Sequence, residues 1–186
     1  MVDNFAKVVE LRLSPKRFKH TLGVVEIAEK LAHANGVCVE KARVAALLHD
    51  YARELSPETL KGLAREAKLD DQFSLNQPEL LHASVGAFLV QRELGVTDSE
   101  ILDAIISHTV GRRKMNTLEQ IIYLADMIEP NRNYAGVQEL RVAAGQNLKI
   151  GVVAALDHTI RYLLNINKPI HLHTIDARNY FLMGGD

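Results

Sequence analysis

The sequence has almost none of the features that build cross-linked or membrane-spanning proteins. It contains one cysteine, Cys38, and no tryptophan among its 186 residues. A single cysteine excludes an intrachain disulfide framework and a cysteine-rich zinc site, and it fits a reducing compartment. No run approaches the roughly 20 apolar residues that span a bilayer, and the N-terminus lacks the apolar stretch of a signal peptide. These absences predict a soluble, cytoplasmic protein without a membrane partner.

The chain also carries little excess charge of either sign. Its 22 Lys and Arg residues offset 23 Asp and Glu residues, which gives a net charge of −1 at pH 7. Such a chain has no cationic surplus for gripping a phosphate backbone, so nucleic acid is not a predicted partner. The length falls within the roughly 100 to 200 residues of a typical domain, and the 47% hydrophobic content is ordinary for a globular protein. We therefore predict one domain over residues 1–186.

Apolar residues recur every three or four positions along most of the chain, for example over 24–31 and 118–125. This periodicity predicts helices, and proline and glycine residues divide it into segments. The predicted helices cover 2–13, 15–35, 39–54, 57–68, 79–94, 98–109, 117–129, 137–145, 148–167 and 174–183. The strand-like stretches at 37–39 and 169–173 are too short to found a sheet. The predicted fold is an all-α helical bundle.

Histidine is the unusual part of the composition, with eight residues in the chain. Several histidines and aspartates stand at the ends of apolar helix faces: His20, His49, Asp50, His82, His108 and Asp126. A buried histidine satisfied by a backbone carbonyl is common, so each residue alone could be structural. A buried carboxylate, however, needs a cation, several donors or a solvated cleft. If the helices form one bundle, these groups can converge, and imidazole with carboxylate suits iron, manganese or zinc.

The order of these residues resembles the H…HD…D pattern of the HD-domain metal-dependent phosphohydrolases. His49 and Asp50 follow His20 after 29 residues, and Asp126 comes later in the chain. His82 and His108 match the dinuclear branch of that superfamily. The segments RFKHTLGVVEIAEKLA, AALLHDYARE, HASVGA, ISHTVGRRKM and IIYLADMIEPNR are also similar to the YqeK family of symmetrical bis(5'-nucleosyl)-tetraphosphatases. That similarity runs from about residue 3 to residue 180.

The resemblance implies two divalent metal ions, with iron as the preferred metal and manganese as the alternative. One ion would bind His20, His49, Asp50 and Asp126, and the second would bind His82 and His108 with Asp50 as the bridge. Asp50, His82 and His108 would then be the catalytic residues. Two cations about 3.5 to 4 Å apart can hold a hydroxide at neutral pH. The implied reaction is the hydrolysis of diadenosine tetraphosphate at its centre, which gives two ADP.

A polyphosphate substrate also needs donors beside the metal ions. Lys19, Arg53 and Arg112 lie near the proposed ligands in sequence, and Thr109 and Gly111 would shape the loop after His108. The resemblance adds a phosphate-contacting arginine, Arg132, in the segment EPNR. The family commonly has lysine at the position of Arg53, which puts a direct role for that side chain in doubt. A solvated surface charge is the alternative for the lysine and for each arginine chosen on proximity. The histidines His33, His158, His171 and His173 match no ligand position and are predicted to be structural or at the surface.

Two other functions remain open at this point. The same metal site could serve an HD phosphohydrolase that acts on a nucleoside triphosphate, a deoxynucleotide or a cyclic nucleotide. The chain could also be a non-catalytic nucleotide-binding module with a structural metal. A complete set of six ligand candidates beside basic residues favours an enzyme over such a module, and the symmetrical hydrolase is the leading hypothesis. The expected partner is a dinucleoside polyphosphate or nucleotide, and a homodimer remains an open arrangement.

Overall fold

A computed structural model describes residues 2–185, and it confirms the all-α prediction. None of these residues lies in a strand. The helices are α1 (Val2–Arg12), α2 (Pro15–Ala34), α3 (Val39–Leu48), α4 (Pro57–Glu66), α5 (Gln72–Asn76), α6 (Pro78–Leu94), α7 (Ser99–Ser107), α8 (Thr117–Ile128), α9 (Val137–Gln146), α10 (Leu148–Asn165) and α11 (Leu172–Leu182). Across 2–185, no helix has both the length and the apolar character needed to cross a membrane.

Helix starts follow local side-chain signals. Ser14 and Ser56 each precede a proline, and their side chains accept a hydrogen bond from a backbone N–H in the first turn of α2 and α4. Asn116 and Glu119 form a reciprocal capping box at the start of α8. These side chains satisfy donors that have no partner within the helix. The capping residues therefore set where these three helices begin.

Helix α8 lies at the centre of the bundle. Nine of its 12 residues are buried, and it packs against α2, α3, α7, α9 and α10. Helix α10 approaches it closely at Gly151, where a Cβ atom would lie 2.7 Å from Leu124 Cδ2 and 2.9 Å from Ala144 Cα. A side chain larger than hydrogen would push α10 away from α8 and α9. The absence of a side chain at Gly151 thus allows α10 to pack closely against α8 and α9.

Helices α3 and α7 end earlier than the sequence predicts. The predicted segments 39–54 and 98–109 stop at Leu48 and Ser107. At the end of α3, His49 Nδ1 bonds the Ala46 carbonyl oxygen at 2.6 Å, which would otherwise accept the N–H of Asp50 in a continuing helix. His108 Nδ1 makes the equivalent bond to the Ile105 oxygen, at 2.7 Å. Both histidines lie in turns that directly follow the helices.

The sequence predicts no helix over 69–78, but the structure has one. This is the short helix α5, whose N-cap is Asp71. The Asp71 carboxylate accepts hydrogen bonds from Phe73 N and Ser74 Oγ. It also lies 3.0 Å from His171 Nε2, just before α11. This contact joins α5 to the C-terminal helix.

Candidate metal centre and adjoining cavity

The six side chains that the sequence singles out for metal binding meet at one place in the bundle. They come from α2 (His20), the turn after α3 (His49 and Asp50), α6 (His82), the turn after α7 (His108) and α8 (Asp126). Two groups of three, His20 with His49 and Asp50, and Asp50 with His82 and His108, have potential ligand atoms within 4.8 Å of one another. Asp126 Oδ1 adjoins the first group, 2.9 Å from His20 Nε2. Packing thus brings together residues that are up to 106 positions apart.

Asp50 belongs to both groups, and each of its oxygens faces a different one. Oδ2 lies 3.3 Å from His49 Nε2 and 3.8 Å from His20 Nε2. Oδ1 lies 3.3 Å from His82 Nε2 and 3.8 Å from His108 Nε2. A carboxylate whose two oxygens face different ligand groups could serve two ions.

Three of the histidines are oriented by backbone carbonyls. The Nδ1 atoms of His49, His82 and His108 each lie 2.6 to 2.7 Å from the carbonyl oxygen three residues earlier. A carbonyl only accepts, so Nδ1 carries the proton and the Nε2 lone pair faces the centre. His82 Nε2 and His108 Nε2 are 3.1 Å apart, and two lone pairs at that distance repel unless a cation lies between them.

The remaining donor atoms also fit a metal ion. The Nε2 atoms of His20 and His49 are buried, and within residues 2–185 neither makes a hydrogen bond of good geometry, although carboxylate oxygens lie 2.9 and 3.3 Å away. An unpartnered buried nitrogen is costly, and a metal ion would satisfy its lone pair. The donor set of imidazole nitrogens and carboxylate oxygens suits first-row divalent metals. The residues present therefore fit divalent metal binding.

The charge states of the centre follow from burial and from near neighbours. Burial opposes ionisation of Asp50, but the His49 and His82 rings outweigh it and hold its pKa well below the usual value. The pKa of Asp126 is also lowered, because His20 and Arg132 outweigh its burial. Burial, followed by the nearby His49 and His82, lowers the pKa of His108 to about 3. At neutral pH the carboxylates are ionised and His108 is neutral, as metal ligands must be.

A cavity of about 1060 Å³ adjoins this centre. Thr109, which follows His108, lines it, as does Arg132, whose Nη2 donates to Asp126 Oδ1 at 2.6 Å. Arg53 also lines it, and its side chain has no ion-pair partner in the part of the chain that the structure describes. The rest of the wall combines apolar and aromatic side chains with charged ones, among them Phe73, Leu80, Met127, Tyr134, His158, Tyr162, Glu79, Arg161 and Lys168. The cavity therefore offers cations beside the metal groups and ring faces farther along its wall.

Three of the predicted substrate residues do not reach this cavity. Arg112 donates from Nε and Nη2 to the fully buried carboxylate of Glu119, at 2.5 and 2.8 Å, and from Nη2 to Asp103. Gly111 has a left-handed backbone (φ +69°), and its amide closes the turn after α7. Lys19 is exposed on α2. A contact between Arg112 and substrate therefore stays a prediction without support from its position, because Arg112 does not line the cavity and its Nε and Nη2 bind carboxylates outside it.

The structure also adds residues that the sequence analysis missed. Arg17 Nη1 donates to Asp50 Oδ2 at 3.0 Å. Glu129 Oε1 lies 3.1 Å from His20 Nδ1. Arg17 lies three positions before His20, and Glu129 lies three positions after Asp126, which is one helical turn in each case. This spacing is the sequence signal that could have identified both residues. His158 and His171, predicted to be structural or at the surface, line the cavity.

Comparison with known proteins agrees with this geometry. The HD domain family model matches residues 17–131. The chain is 41% identical to a symmetrical bis(5'-nucleosyl)-tetraphosphatase of Bacillus subtilis and 40% identical to one of Halalkalibacterium halodurans, over 95% of each chain in both cases. A crystal structure from Clostridium acetobutylicum, described as a predicted HD superfamily hydrolase involved in NAD metabolism, superposes with a TM-score of 0.94. It shares 36% identity, and the alignment covers 98% of this chain and 97% of that one.

Proposed function

Because this chain belongs to the HD domain family, we infer that it is a metal-dependent hydrolase that cleaves diadenosine tetraphosphate symmetrically into two ADP. Relatives that carry the name of this activity match 95% of the chain at 40 to 41% identity. The observation that carries the inference is the position of Asp50, shared by two metal-ligand groups beside a large cavity. Neither of the other two readings, a different nucleotide substrate or a non-catalytic module, gains support from the comparisons.

We propose that the five residues of the two groups, together with Asp126, would hold two ions, and that Asp50 would serve both. Divalent ions in such a site activate a water molecule and neutralise the charge that develops on a phosphoryl group. The carbonyl-bound Nδ1 atoms of His49, His82 and His108 keep their Nε2 atoms aimed at the centre. Preorientation of this kind removes the need to reorganise side chains during the reaction.

We propose that Arg132 and Arg53 bind the polyphosphate, together with the hydroxyl of Thr109. Arg132 donates hydrogen bonds from Nε to the main-chain oxygen of Asp126 and from Nη2 to its Oδ1. Its Nη1 has no partner within residues 2–185, and it can donate to a phosphate oxygen. Asp126 thereby fixes the orientation of a cation on the wall of the cavity. Arg53 is available because no carboxylate in the described part of the chain pairs with it.

The dimensions of the cavity support a dinucleotide as the substrate. Its volume of about 1060 Å³ is at the upper end of the roughly 300 to 1,000 Å³ of small-molecule sites. The Tyr134 and His158 rings lie 5.0 Å apart in the wall, and Tyr134 is fixed by its hydroxyl, which donates to the Met127 carbonyl oxygen at 2.7 Å. An oriented ring on the wall suits stacking against a purine base. A second nucleoside would use space that a mononucleotide leaves empty.

The test is product analysis in water enriched in heavy oxygen. The metal-loaded enzyme should convert diadenosine tetraphosphate only to ADP, with the label in one of the two product molecules. Asp50→Ala protein prepared in parallel controls for contaminating hydrolases. AMP plus ATP as products would reject symmetrical cleavage, and comparable release of phosphate from simple nucleotides would favour the broader phosphohydrolase.

The finer expectations remain proposals. We propose iron as the metal in the cell, because the family resemblance implies it, and metal analysis of protein purified without oxygen checks this. We also propose that residues 1–186 act as one metallohydrolase domain, of which residues 1 and 186 lie outside the described part. Helices α10 and α11 support this, since His158 and Thr174 line the cavity. A cytoplasmic location is consistent with the single cysteine.

A further inference from the structure

Glu129 is a buried carboxylate that the proposed reaction does not use. It is 1% exposed and lies at the C-cap of α8. Its Oε2 accepts hydrogen bonds from the backbone N–H of Asn131 at 2.6 Å and from the Asn131 side-chain amide at 2.9 Å. Its Oε1 lies 3.1 Å from His20 Nδ1. Partners on both oxygens hold the carboxylate in one orientation against the ring of a proposed metal ligand.

His20 differs in this respect from the other histidines of the centre. The Nδ1 atoms of His49, His82 and His108 face backbone carbonyls, whereas His20 Nδ1 faces an ionisable carboxylate. A carboxylate only accepts, so Glu129 favours the proton on Nδ1, which leaves the Nε2 lone pair for a metal. Asp126 Oδ1, 2.9 Å from Nε2, favours the other tautomer, and Glu129 opposes it. A carboxylate behind a histidine ligand also raises the basicity of the ring, and its loss usually weakens metal binding.

Gly23, one turn after His20 in α2, leaves room for this carboxylate. A Cβ atom at position 23 would overlap Glu129 Oε2 and would lie 3.0 Å from Asn131 Nδ2. The carboxylate cannot swing aside without losing the two hydrogen bonds from Asn131. The close approach of α2 to the end of α8 therefore requires glycine at this position.

We propose that Glu129 is a positioning residue of the metal centre, which holds His20 in the tautomer that binds metal through Nε2. Gly23 serves the same purpose by leaving space for the Glu129 carboxylate. This inference rests on the proposed metal centre, but it concerns residues outside the ligand set. It assigns to Glu129 a contribution to metal affinity that a purely structural buried carboxylate would not make.

The test is the variant Glu129→Gln, which keeps the shape and removes the charge. A glutamine has one oxygen, so if that oxygen keeps the Asn131 donors its NH2 group faces His20 Nδ1. The ring then places its proton on Nε2, where it blocks metal binding. We expect the affinity of metal-free protein for Mn²⁺, measured by titration calorimetry, to fall roughly 10- to 100-fold. The ¹⁵N spectrum at pH 8 should also show a smaller population of the His20 Nδ1–H tautomer in the metal-free variant than in the metal-free wild type.

Two matched controls separate this role from general damage. Glu119→Gln neutralises another fully buried carboxylate, away from the metal groups, and should leave Mn²⁺ affinity unchanged. Gly23→Ala should weaken Mn²⁺ binding, whereas Gly62→Ala, with nothing within 4 Å of its Cβ, should not. The proposal would be overturned if the Mn²⁺ affinity of Glu129→Gln or of Gly23→Ala stayed within twofold of the wild type. It would also be overturned if Glu119→Gln lost as much Mn²⁺ affinity as Glu129→Gln. Failure of the wild-type protein to bind Mn²⁺ would instead contradict the proposed metal centre.

Discussion

Arg112→Ala should lower the stability of the protein and leave substrate binding intact. The guanidinium makes two hydrogen bonds, of 2.5 and 2.8 Å, to the Glu119 carboxylate, which is 0% exposed. Removing one partner of a buried ion pair costs about 3–5 kcal/mol. Two features reduce this figure: the Arg112 side chain is 41% exposed, so water can replace it, and the Asn116 N–H still donates to Glu119 at 2.8 Å. We therefore expect a loss of about 2 kcal/mol.

For a chain of this length, about 1 kcal/mol corresponds to roughly 2–4 °C in the melting temperature. Thermal unfolding followed by circular dichroism should therefore show a decrease of about 4–8 °C. The KM for diadenosine tetraphosphate should stay within about twofold of the wild type, since Arg112 does not line the cavity. Arg113→Ala is the control, because Arg113 is exposed and its carboxylate partner, Asp176, is 3.9 Å away. A tenfold higher KM with an unchanged melting temperature would refute this reasoning and return Arg112 to the substrate site.

The remaining predictions concern the metal centre, the cavity and the packing of α10. Asp50→Ala should lose both metal ions and turnover, because one carboxylate serves both groups; near-normal metal content by elemental analysis would exclude a bridging role. His82→Ala or His108→Ala should retain one ion while kcat falls by roughly 100-fold or more, and full activity at limiting metal would contradict a dinuclear centre. Arg132→Ala should raise the KM roughly 10- to 100-fold and leave the metal content unchanged, because it loses a charge-assisted hydrogen bond to substrate. An unaltered KM and kcat would show that Arg132 does not contact substrate. Gly151→Ala should destabilise the fold by about 1–3 kcal/mol through overpacking, and an unchanged denaturation midpoint in urea would show that α10 can move aside.

The sequence by itself determined the helical class and the ligand candidates. Apolar periodicity and prolines are local signals, because a helix start and its buried face depend on residues within a few turns. The ordered pattern of His20, His49, Asp50 and Asp126 points to metal chemistry without any knowledge of the tertiary structure. The ends of the helices were harder to predict from the sequence. At His49, for example, the hydrogen bond from Nδ1 to the Ala46 carbonyl oxygen depends on the orientation of the side chain.

Only the tertiary structure decided which charged groups reach the centre. Arg112 and Arg17 each lie within a few positions of a proposed ligand, but the packing of α7 against α8 directs Arg112 to Glu119, and the packing of α2 against the turn after α3 directs Arg17 to Asp50. Glu129 meets His20 across 109 positions because α2 and α8 pack closely at Gly23. Contacts of this kind depend on interhelical distance and crossing angle, which are set by the whole core and not by the residues next to a motif.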